Sequence, residues 1–424
     1  MLVVLLILVI YGFEAHARRQ FEPTPATQGD QGAYLADAVR MYETNYAAVG
    51  ERARMPVYPF LLSFLYEPGL TEEKFLERAQ TFTVNLSIVL LFLLFLIFRR
   101  TFPTIYAVAL VSITAFGMFL YRAGMAQPEV LLYTLCFCAF LLFARLFATP
   151  RWWLAVLAGA TMGVAHLTKG SLLPALALWV LLFVVQTFWK RGDRTGEVGP
   201  RVLALLLVIV TFLAVTSAYL RTSKEVYGAY FFNVNSAIVV WCDSWPEALG
   251  WLELQHDREK WRALPADQIP SAAKYWREHS LSQVVNRFAR GLRSLATQKA
   301  MAVGHYKFMV GLVLLAGVMW VSDPRRGWQL VAENPFGAAF AFLFCAFFIV
   351  AFAWFDAITS DTRFILTLFL PVVFTASLFI IAVGRDRSFS IAGRRLPFAV
   401  LLSGVLLSLS LVDVFYNAWR GFGN

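Results

Sequence analysis

Two acidic residues stand where a carboxylate could do chemistry, at the borders of long apolar runs. Asp30 occurs in the sequence GDQG just ahead of a helical pattern, and Glu129 occurs in the sequence QPE at the start of a later apolar run. An ionisable group beside a membrane span is costly and needs a reason. Taking a proton from a hydroxyl group, as a general base, is one such reason. Asp30 is therefore the candidate base, and Glu129 is a candidate substrate-binding residue.

Basic residues occupy similar border positions. Arg52 and Arg54 precede Tyr58 in the sequence RARMPVYP. Lys169 ends the sequence LTK, and Arg363 opens a late apolar run. Guanidinium groups bind phosphate through charge-assisted hydrogen bonds that are often bidentate. These four basic residues, with the neighbouring tyrosine, are candidates for binding a substrate that carries phosphate.

Each candidate also has a purely structural explanation. Asp30 could cap the helix that follows it, since Asp is a favoured N-cap residue. Glu129 could satisfy a helix N-terminus, where negative charge is favoured. The basic residues could instead extend from the apolar region to the interface. Arg363 could simply pair with Asp361, two residues before it.

The composition of the chain is that of an integral membrane protein. Of its 424 residues, 59% are hydrophobic and 15% are charged, and the mean hydropathy is +0.63. Soluble proteins carry about 25% charged residues. This excludes a soluble enzyme, a disordered protein and a DNA-binding factor, so the net charge of +10 is assigned to cytoplasmic loops. The four cysteines show no CxxC or Cys/His spacing, which predicts neither a zinc site nor a disulfide framework.

Apolar runs predict an all-α protein with about eleven transmembrane helices. The runs lie near 1–14, 81–98, 104–121, 128–148, 152–168, 170–189, 202–220, 300–321, 335–355, 363–384 and 396–415. The first run is short, and the true start of the chain could lie upstream.

Loop charges predict which ends of these helices face outward. If the first loop is outside, every inner connection is basic and the outer connections are mixed or acidic, which is the positive-inside pattern. The inner basic residues include Arg99, Arg100, Arg191, Arg194, Arg325, Arg326, Arg385 and Arg387. All candidate site residues then lie at the outer ends of the helices.

Two long outer segments, near 15–80 and 221–299, predict amphipathic helices on the outer face. In the second, Leu281 and Phe288 belong to an apolar face, and Arg287 falls on the other side. This pattern predicts an interfacial helix with its basic side toward lipid headgroups. The chain divides accordingly into an N-terminal transmembrane module that contains the first outer loop and the catalytic residues (1–220), a Trp-rich outer loop with an amphipathic helix (221–299) and a C-terminal transmembrane module (300–424).

An outward-facing site limits the possible sugar donors. Nucleotide-activated sugars and ATP are cytoplasmic, so such a site would use a substrate that is flipped across the membrane, such as a sugar linked to a lipid phosphate. Polyprenyl phosphate leaves readily once its charge is compensated, so one essential carboxylate is enough.

The order and spacing of the motifs resemble the GT-C superfamily of polyprenyl-phosphate-sugar-dependent glycosyltransferases. This superfamily includes protein mannosyltransferases and bacterial enzymes that modify lipid A, such as the aminoarabinose transferases. The matching positions are the acidic GDQGAYL after the first span, RMPVYP, QPE, LTK, the Arg363-Phe364 start of a late span, and the outer segment from Asn235 to Pro246. The resemblance covers most of the chain and implies the GT-C fold.

The resemblance implies that Asp30 is the catalytic base and that Arg54, with Arg52, binds the lipid phosphate. A sugar would pass from a polyprenyl-phosphate-linked donor to a hydroxyl of a glycolipid, polysaccharide or protein, with inversion. The protein would be a multi-pass protein of a bacterial inner membrane, with its active site facing the periplasm. No cofactor, metal site or nucleic-acid partner is implied, although a divalent cation could bind if Asp30 and Glu129 converge. Many members have a second acid where this chain has Gln31, which weakens the case for a metal-binding pair.

Two other functions remain open. A transporter of lipids or sugars tends to show internal repeats and charges near the middle of the membrane. Here no repeat is visible and the charges gather at the outer ends, but a buried charge near the centre of a span would favour this alternative. A lipid-linked glycan ligase or polymerase places key arginines and a histidine in a large late loop. The segment 221–299 contains His256, His279 and several arginines.

Overall fold

A computed structural model of the chain describes residues 1–19, 25–47, 52–189, 198–254, 260, 263–265, 267–299, 305–359, 361, 363–391 and 394–421. The helices are α1 (Leu2–Arg19), α2 (Gly29–Glu43), α3 (Val57–Ser63), α4 (Glu72–Thr101), α5 (Thr104–Ala123), α6 (Glu129–Ala148), α7 (Trp152–Thr168), α8 (Gly170–Trp189), α9 (Val198–Tyr227), α10 (Val234–Ala237), α11 (Trp245–Leu254), α12 (Ala272–Glu278), α13 (Leu281–Ser294), α14 (His305–Ser322), α15 (Pro324–Glu333), α16 (Pro335–Asp356), α17 (Ile365–Val383) and α18 (Phe398–Gly421). The strands β1 (Ser388–Ile391) and β2 (Arg394–Pro397) form an antiparallel hairpin.

The number of spans differs from the sequence prediction. In the described part of the chain, eight helices are long and apolar enough to cross a bilayer, namely α4, α5, α6, α8, α9, α16, α17 and α18. The pair α14 and α15, bent by 110°, raises the number to nine. The two remaining predicted runs do form helices, but α1 carries three charges near its end and α7 has only 17 residues. The all-α membrane fold is confirmed, and in the described part of the chain eight or nine of the eleven predicted spans are long and apolar enough to qualify by length and composition alone.

Small residues allow α7 and α9 to pack closely. A Cβ atom at Gly159 would lie 2.5 Å from the carbonyl oxygen of Val208, and one at Gly163 would lie 2.8 Å from Val215 Cγ1. In a bilayer, helices associate by van der Waals contact, and small residues bring their backbones together. This contact helps to fix the end of α7 that Lys169 follows.

Aromatic rings fill the interior between α6, α8 and α16. The Trp179 ring stacks between Phe143 and Phe183, with ring centroids 4.8 Å and 4.7 Å away. Its indole N–H donates to the carbonyl oxygen of Phe143 at 3.2 Å, so the polar atom is satisfied. Stacked aromatic pairs of this kind add to the stabilisation that comes from burial alone.

Hydrogen bonds inside the bundle connect its first and last thirds. The hydroxyl of Tyr106 on α5 donates to Ser377 Oγ on α17 at 2.9 Å, and the Ser112 and Ser410 hydroxyls are 2.7 Å apart. Polar side chains within a membrane find partners on neighbouring helices in this way.

The division of the chain into three parts at residues 220 and 299 stays a prediction.

Basic residues mark one end of the bundle. Arg201 donates to Gln186 at 2.6 Å between α8 and α9, and Arg387 donates to Ser322 at 2.8 Å beside the hairpin. The predicted inner residues Arg191 and Arg194 lie outside the described residues. The acidic and basic candidates of the sequence analysis meet at the opposite end, as the loop charges predict.

The amphipathic helix α13 forms, but it faces differently from the prediction. Its first turn is closed by a capping box between Ser280 and Gln283. Gly291 meets the backbone of α16, where a Cβ atom would lie 1.8 Å from the Ala353 carbonyl oxygen. Arg287, predicted on the lipid-facing basic side, is buried, whereas Leu281 of the predicted apolar face is exposed. The helix therefore packs on α16 through a face that includes an arginine.

Candidate functional site

The start of α2 fixes the position of Asp30. Gly29 has φ of +62°, a left-handed conformation that favours glycine, and Gln28 occupies the N-cap position without a side-chain hydrogen bond. Asp30 is therefore inside the first turn and does not cap the helix. Gly32 lies against the preceding turn, since a Cβ atom there would be 2.5 Å from the Thr27 carbonyl carbon.

Two arginines hold the carboxylate of Asp30. Arg54 Nη2 donates to Asp30 Oδ1 at 2.8 Å, and Arg363 Nη1 donates to Oδ2. Burial alone would raise the pKa of Asp30, but the charges of Arg363 and then Arg54 outweigh it and lower that pKa from 3.8 to about 2. The side chain is 30% exposed, so a ligand can reach it.

Arg363 also connects Asp30 to the ion pair that Glu129 forms with Lys169. Its Nη1 lies 3.8 Å from Oε1 of Glu129, which is 1% exposed at the start of α6. Lys169 Nζ donates to the same oxygen at 3.0 Å and lies 4.8 Å from the ring centroid of Phe364. The other oxygen of Glu129 has no hydrogen-bond partner among the described residues. Buried polar atoms normally have a hydrogen-bond partner, so this oxygen of Glu129 is suited to accept a hydrogen bond from a ligand.

A further carboxylate orients Arg363. Asp361 Oδ2 lies 2.9 Å from Arg363 Nε, and Oδ1 accepts the backbone N–H of Arg363 at 2.9 Å. Arg122 at the end of α5 donates to Asp361 Oδ1 at 3.1 Å. Arg122 is not among the site residues predicted from the sequence. Its position seven residues before Glu129 is the only sequence feature that points to a place in the site. The hydroxyl of Tyr133 adds a bond to the Arg363 carbonyl oxygen at 2.7 Å.

These contacts make one connected group, which we call the Asp30 network. It contains Asp30, Arg54, Arg122, Glu129, Lys169, Asp361 and Arg363. Four of the seven side chains are basic and three are acidic, so the formal charge is +1. A partly buried network with a surplus positive charge suits an anionic ligand.

Two predicted binding residues face other partners. Arg52 is 4% exposed, donates to Thr222 Oγ1 at 2.6 Å and lies over the Tyr219 ring at 4.2 Å, both on α9. Tyr58 is fully buried, its hydroxyl is 2.6 Å from Thr83 Oγ1, and its ring packs edge-on against Tyr34. Both therefore support the fold around the Asp30 network, and their roles in substrate binding stay predictions.

The segment that begins at residue 233 holds the turn containing Arg54. The backbone N–H of Val234 donates to the Arg52 carbonyl oxygen at 3.0 Å, and Asn235 Nδ2 donates to the Ala53 carbonyl oxygen at 2.7 Å. Buried backbone carbonyls need such partners. The two residues before Arg54 are therefore fixed by a segment 180 or more positions away.

Gln31, found where the resembling enzymes often have a second acid, has a structural role here. Its side chain is 2% exposed, and its Oε1 accepts the backbone N–H of Ala126 at 2.7 Å and Gln80 Nε2 at 3.4 Å. The residue after Asp30 thus ties α2 to the loop that leads into Glu129. This contact brings the two acidic motifs of the sequence together.

The predicted convergence of Asp30 and Glu129 occurs through a cation of the protein itself. Both carboxylates contact the guanidinium of Arg363. Within the described ranges, no group of three or more His, Cys, Asp or Glu side chains is arranged to hold a metal ion. The absence of a cofactor stays a prediction.

The residues that could favour the alternative functions lie elsewhere. His256 is outside the described residues, and His279 pairs with Asp243 rather than with the Asp30 network. Besides Glu129, the buried charged residues in the described spans are Arg201 and Asp413. Arg201 lies in the first turn of α9, and Asp413, which pairs with Lys307, lies toward the end of the apolar part of α18 (Phe398–Phe415).

Comparison with known proteins gives the class of fold. No family model and no curated protein matches the chain. The oligosaccharyltransferase of Archaeoglobus fulgidus, solved in complex with Zn and sulfate, aligns with a TM-score of 0.56 and 13% identity. The alignment covers 97% of this chain and 52% of that chain, so this chain spans about half of its length. ArnT from Cupriavidus metallidurans, bound to undecaprenyl phosphate, aligns with a TM-score of 0.35 and 16% identity over 90% of this chain and 77% of that chain.

The chain therefore shares the fold of the aligned half of the archaeal oligosaccharyltransferase, in agreement with the all-α membrane fold that the sequence predicts. It is a multi-pass membrane protein, with eight or nine helices in its described part able to cross a bilayer.

Proposed function

We propose that this protein is a membrane glycosyltransferase that uses a sugar linked to polyprenyl phosphate. It transfers the sugar to a hydroxyl group on the outer face of a bacterial inner membrane, with inversion. The observation that carries the proposal is the position of Asp30 between two guanidinium groups, those of Arg54 and Arg363. The arrangement supplies a base and two phosphate ligands in direct contact.

The basic residues of the Asp30 network suit a lipid phosphate. Arg54 and Arg363 are each about one fifth exposed, and their planar groups can bind phosphate through paired hydrogen bonds. Lys169, 22% exposed, adds a third cation on the far side of Arg363. Compensating the charge of the departing phosphate lowers the barrier to transfer.

Donor binding itself would activate the base. In the structure, Arg363 and Arg54 hold the pKa of Asp30 at about 2, which makes it a weak base. A phosphate that takes both guanidiniums withdraws them from the carboxylate, and the pKa of Asp30 rises toward its usual range. The carboxylate then becomes a better general base at the moment when the donor is in place.

The proposed step is a single displacement. Asp30 takes the proton of the acceptor hydroxyl, and the hydroxyl oxygen forms a bond to the anomeric carbon. The bond between that carbon and the phosphate oxygen breaks, and the polyprenyl phosphate leaves with the electron pair. Attack opposite the leaving group inverts the anomeric configuration. The acceptor class is a glycolipid, a polysaccharide or a protein, and the step as written uses no cofactor.

The test is transfer of radiolabelled sugar from a polyprenyl-phosphate-sugar pool into lipid, polysaccharide and protein fractions. Membranes with the wild-type protein are compared with membranes that contain Asp30→Asn at equal abundance. The matched control is Glu67→Gln, because Glu67 also pairs with an arginine, Arg78 at 2.9 Å, but is exposed and lies outside the network.

We expect wild type and Glu67→Gln to transfer label equally and Asp30→Asn to transfer at least about 100-fold less. The labelled fraction then names the acceptor class. Equal transfer by Asp30→Asn would remove Asp30 from the catalytic role. No transfer by wild type, with the labelled donor shown to be present, would contradict the proposed function as a whole.

A further inference from the structure

Three aromatic rings form an exposed patch that is not part of the Asp30 network. Phe60 on α3 and Phe64 just after it are 44% and 64% exposed, and Tyr46 is 44% exposed. The ring centroids of Phe60 and Phe64 lie 4.9 Å apart, and those of Tyr46 and Phe60 lie 5.6 Å apart. Single exposed apolar residues are normal, but a contiguous group marks a contact surface. We call these three residues the aromatic patch.

The backbone is strained where it presents Tyr46. Asn45 and Tyr46 have φ of 49° and 62°, in the left-handed region that bulky residues rarely adopt. The backbone N–H of Tyr46 donates to the Met41 carbonyl oxygen at 2.7 Å, and the Tyr46 hydroxyl lies 3.4 Å from Ser63 Oγ on α3. Strain of this kind persists only where the surrounding structure holds it, and it gathers at functional positions. Here it places the Tyr46 ring against Phe60.

Helix α3 has apolar side chains on opposite faces. Tyr58 and Leu62 are fully buried, whereas Phe60 lies two positions further on than Tyr58 and therefore about 200° round the helix axis. The helix sequence VYPFLLS contains no charged residue. A helix that is apolar on all sides normally lies inside a protein or in a membrane. One face of α3 packs on protein, and the exposed face is suited to lipid.

The contacts between α3 and α4 give the depth of α3 in the membrane. The Tyr58 hydroxyl is 2.6 Å from Thr83 Oγ1, and Arg78 Nη1 donates to the Leu65 carbonyl oxygen at 3.3 Å. The apolar part of α4 begins near residue 81, so Thr83 lies inside it and Arg78 lies about 4.5 Å before it along the helix axis. Helix α3 and the residues that follow it therefore stand at the level where α4 enters the bilayer. Aromatic side chains are enriched at this depth.

We propose that the aromatic patch is a membrane anchor. Phe60 and Phe64 insert into the bilayer leaflet at the end of the bundle that holds the Asp30 network, and the Tyr46 hydroxyl stays at headgroup level. The partner is a lipid surface rather than a glycan for two reasons. Two of the three rings carry no polar atom, and α3 stands at the edge of the bilayer. Tyrosine, with an apolar body and a polar tip, suits the boundary between the two.

The anchor sets the depth of Arg54 in the membrane. Arg54 stands three residues before α3, and its guanidinium lies 5.8 Å from the centroid of the Tyr34 ring, which packs edge-on against Tyr58 of α3. A lipid phosphate lies at headgroup level, so a fixed α3 keeps Arg54 within reach of the donor phosphate. This consequence rests on the function proposed above, whereas insertion of the patch does not.

Photo-crosslinking of the full chain tests the insertion, in nanodiscs of phosphatidylethanolamine and phosphatidylglycerol with soluble maltoheptaose present. The photoreactive residue p-benzoylphenylalanine is incorporated at Phe64, and mass spectrometry measures the fraction of chains that gain a lipid on illumination. The positive control is incorporation at Leu93, which is 45% exposed in the apolar part of α4. The negative control is incorporation at Glu72, an exposed residue that begins α4 about 14 Å before the apolar part.

We expect the yield of lipid adducts at Phe64 to be within about twofold of the yield at Leu93 and about tenfold above the yield at Glu72. Because Phe64 is largely exposed, the added benzoyl group leaves the fold intact. A yield at Phe64 no higher than at Glu72 overturns the proposal. Adducts with maltoheptaose in place of lipid overturn it as well, and identify a glycan-binding surface.

Sugar transfer tests the consequence for Arg54 separately. The variant Phe60→Ser/Phe64→Ser should raise the KM for the lipid-linked donor about tenfold and leave kcat within about twofold, since the patch touches no reacting atom. Phe60→Trp/Phe64→Trp should keep the wild-type KM, because indole also suits the interface. An unchanged KM in the serine variant contradicts the link to Arg54. Lipid adducts at Phe64 without any transfer by wild type leave the anchor standing and contradict the proposed function.

Discussion

Arg363 donates a hydrogen bond to Asp30 from a position 333 residues later in the chain. Arg54, only 24 residues after Asp30, donates to the other carboxylate oxygen. The candidate base is therefore neutralised by one local and one distant guanidinium. Because each guanidinium is partly exposed, an anion that enters the site competes with Asp30 for both of them.

Replacing Arg363 should reduce the rate of sugar transfer more than replacing Arg122. Arg363→Gln removes a direct contact to Asp30 and a donor to the phosphate, so we expect a loss of about 100-fold or more in transfer rate. Arg122→Gln removes one of the two arginines that pair with Asp361 and loses no contact with Asp30, so we expect a loss of about tenfold. Initial rates in membranes with matched protein levels give the comparison. A larger loss in Arg122→Gln would contradict the direct role of Arg363.

The depressed pKa of Asp30 predicts how stability depends on pH. Its pKa falls from 3.8 to about 2 through Arg363 and Arg54, against the opposing effect of burial. The ion pairs therefore stabilise the fold fully above pH 3.8, and this stabilisation is lost as the pH falls through about 2. We expect the difference in thermal midpoint between wild type and Asp30→Asn to be constant from about pH 5 to 8 and to shrink below about pH 4. A difference that changes between pH 5 and 8 would show that another group controls the pair.

Removing Lys169 should leave a buried charge without its nearest partner. Glu129 is 1% exposed and 3.0 Å from Lys169 Nζ. We expect Lys169→Gln to lower the free energy of unfolding by about 3 kcal/mol, since breaking one side of a buried ion pair is strongly destabilising. The double variant Lys169→Gln/Glu129→Gln should recover most of that loss. The measurement is equilibrium unfolding in mixed detergent micelles, and an additive double variant would argue against the pairing.

Gly32 should tolerate no side chain. A Cβ atom there would lie 2.5 Å from the Thr27 carbonyl carbon, so the turn before α2 must move and carry Asp30 with it. We expect Gly32→Ala to cost about 1–3 kcal/mol of stability and to slow transfer. Gly311→Ala on α14 is the control, because nothing lies within 4 Å of its Cβ position. It should keep full transfer and gain up to about 1 kcal/mol from helix propensity. Equal behaviour of the two variants would contradict this account of the turn.

Much of the architecture follows from local pattern. Apolar runs predict the helices because a bilayer requires about 20 apolar residues with satisfied backbone groups. Charges in the connections predict which helix ends lie together, and Asp30, Glu129, Lys169 and Arg363 do meet at one end. The number of spans and the face of α13 were predicted less well. The span count falls because α1 carries charges and α7 is short, whereas the face of α13 depends on a partner elsewhere in the chain, as Arg287 finds in Asp243.

Arg52 and Arg54 show what only the tertiary structure decides. They have the same type, stand two positions apart and look equally suited to phosphate in the sequence. In the folded chain, Arg54 binds Asp30, whereas Arg52 lies on Tyr219 and Thr222 of α9. The sequence by itself determined that guanidiniums would stand together with the carboxylates at one end of the bundle. Which one reaches the carboxylate is decided by backbone bonds from Val234 and Asn235, because contacts between distant segments leave no local pattern.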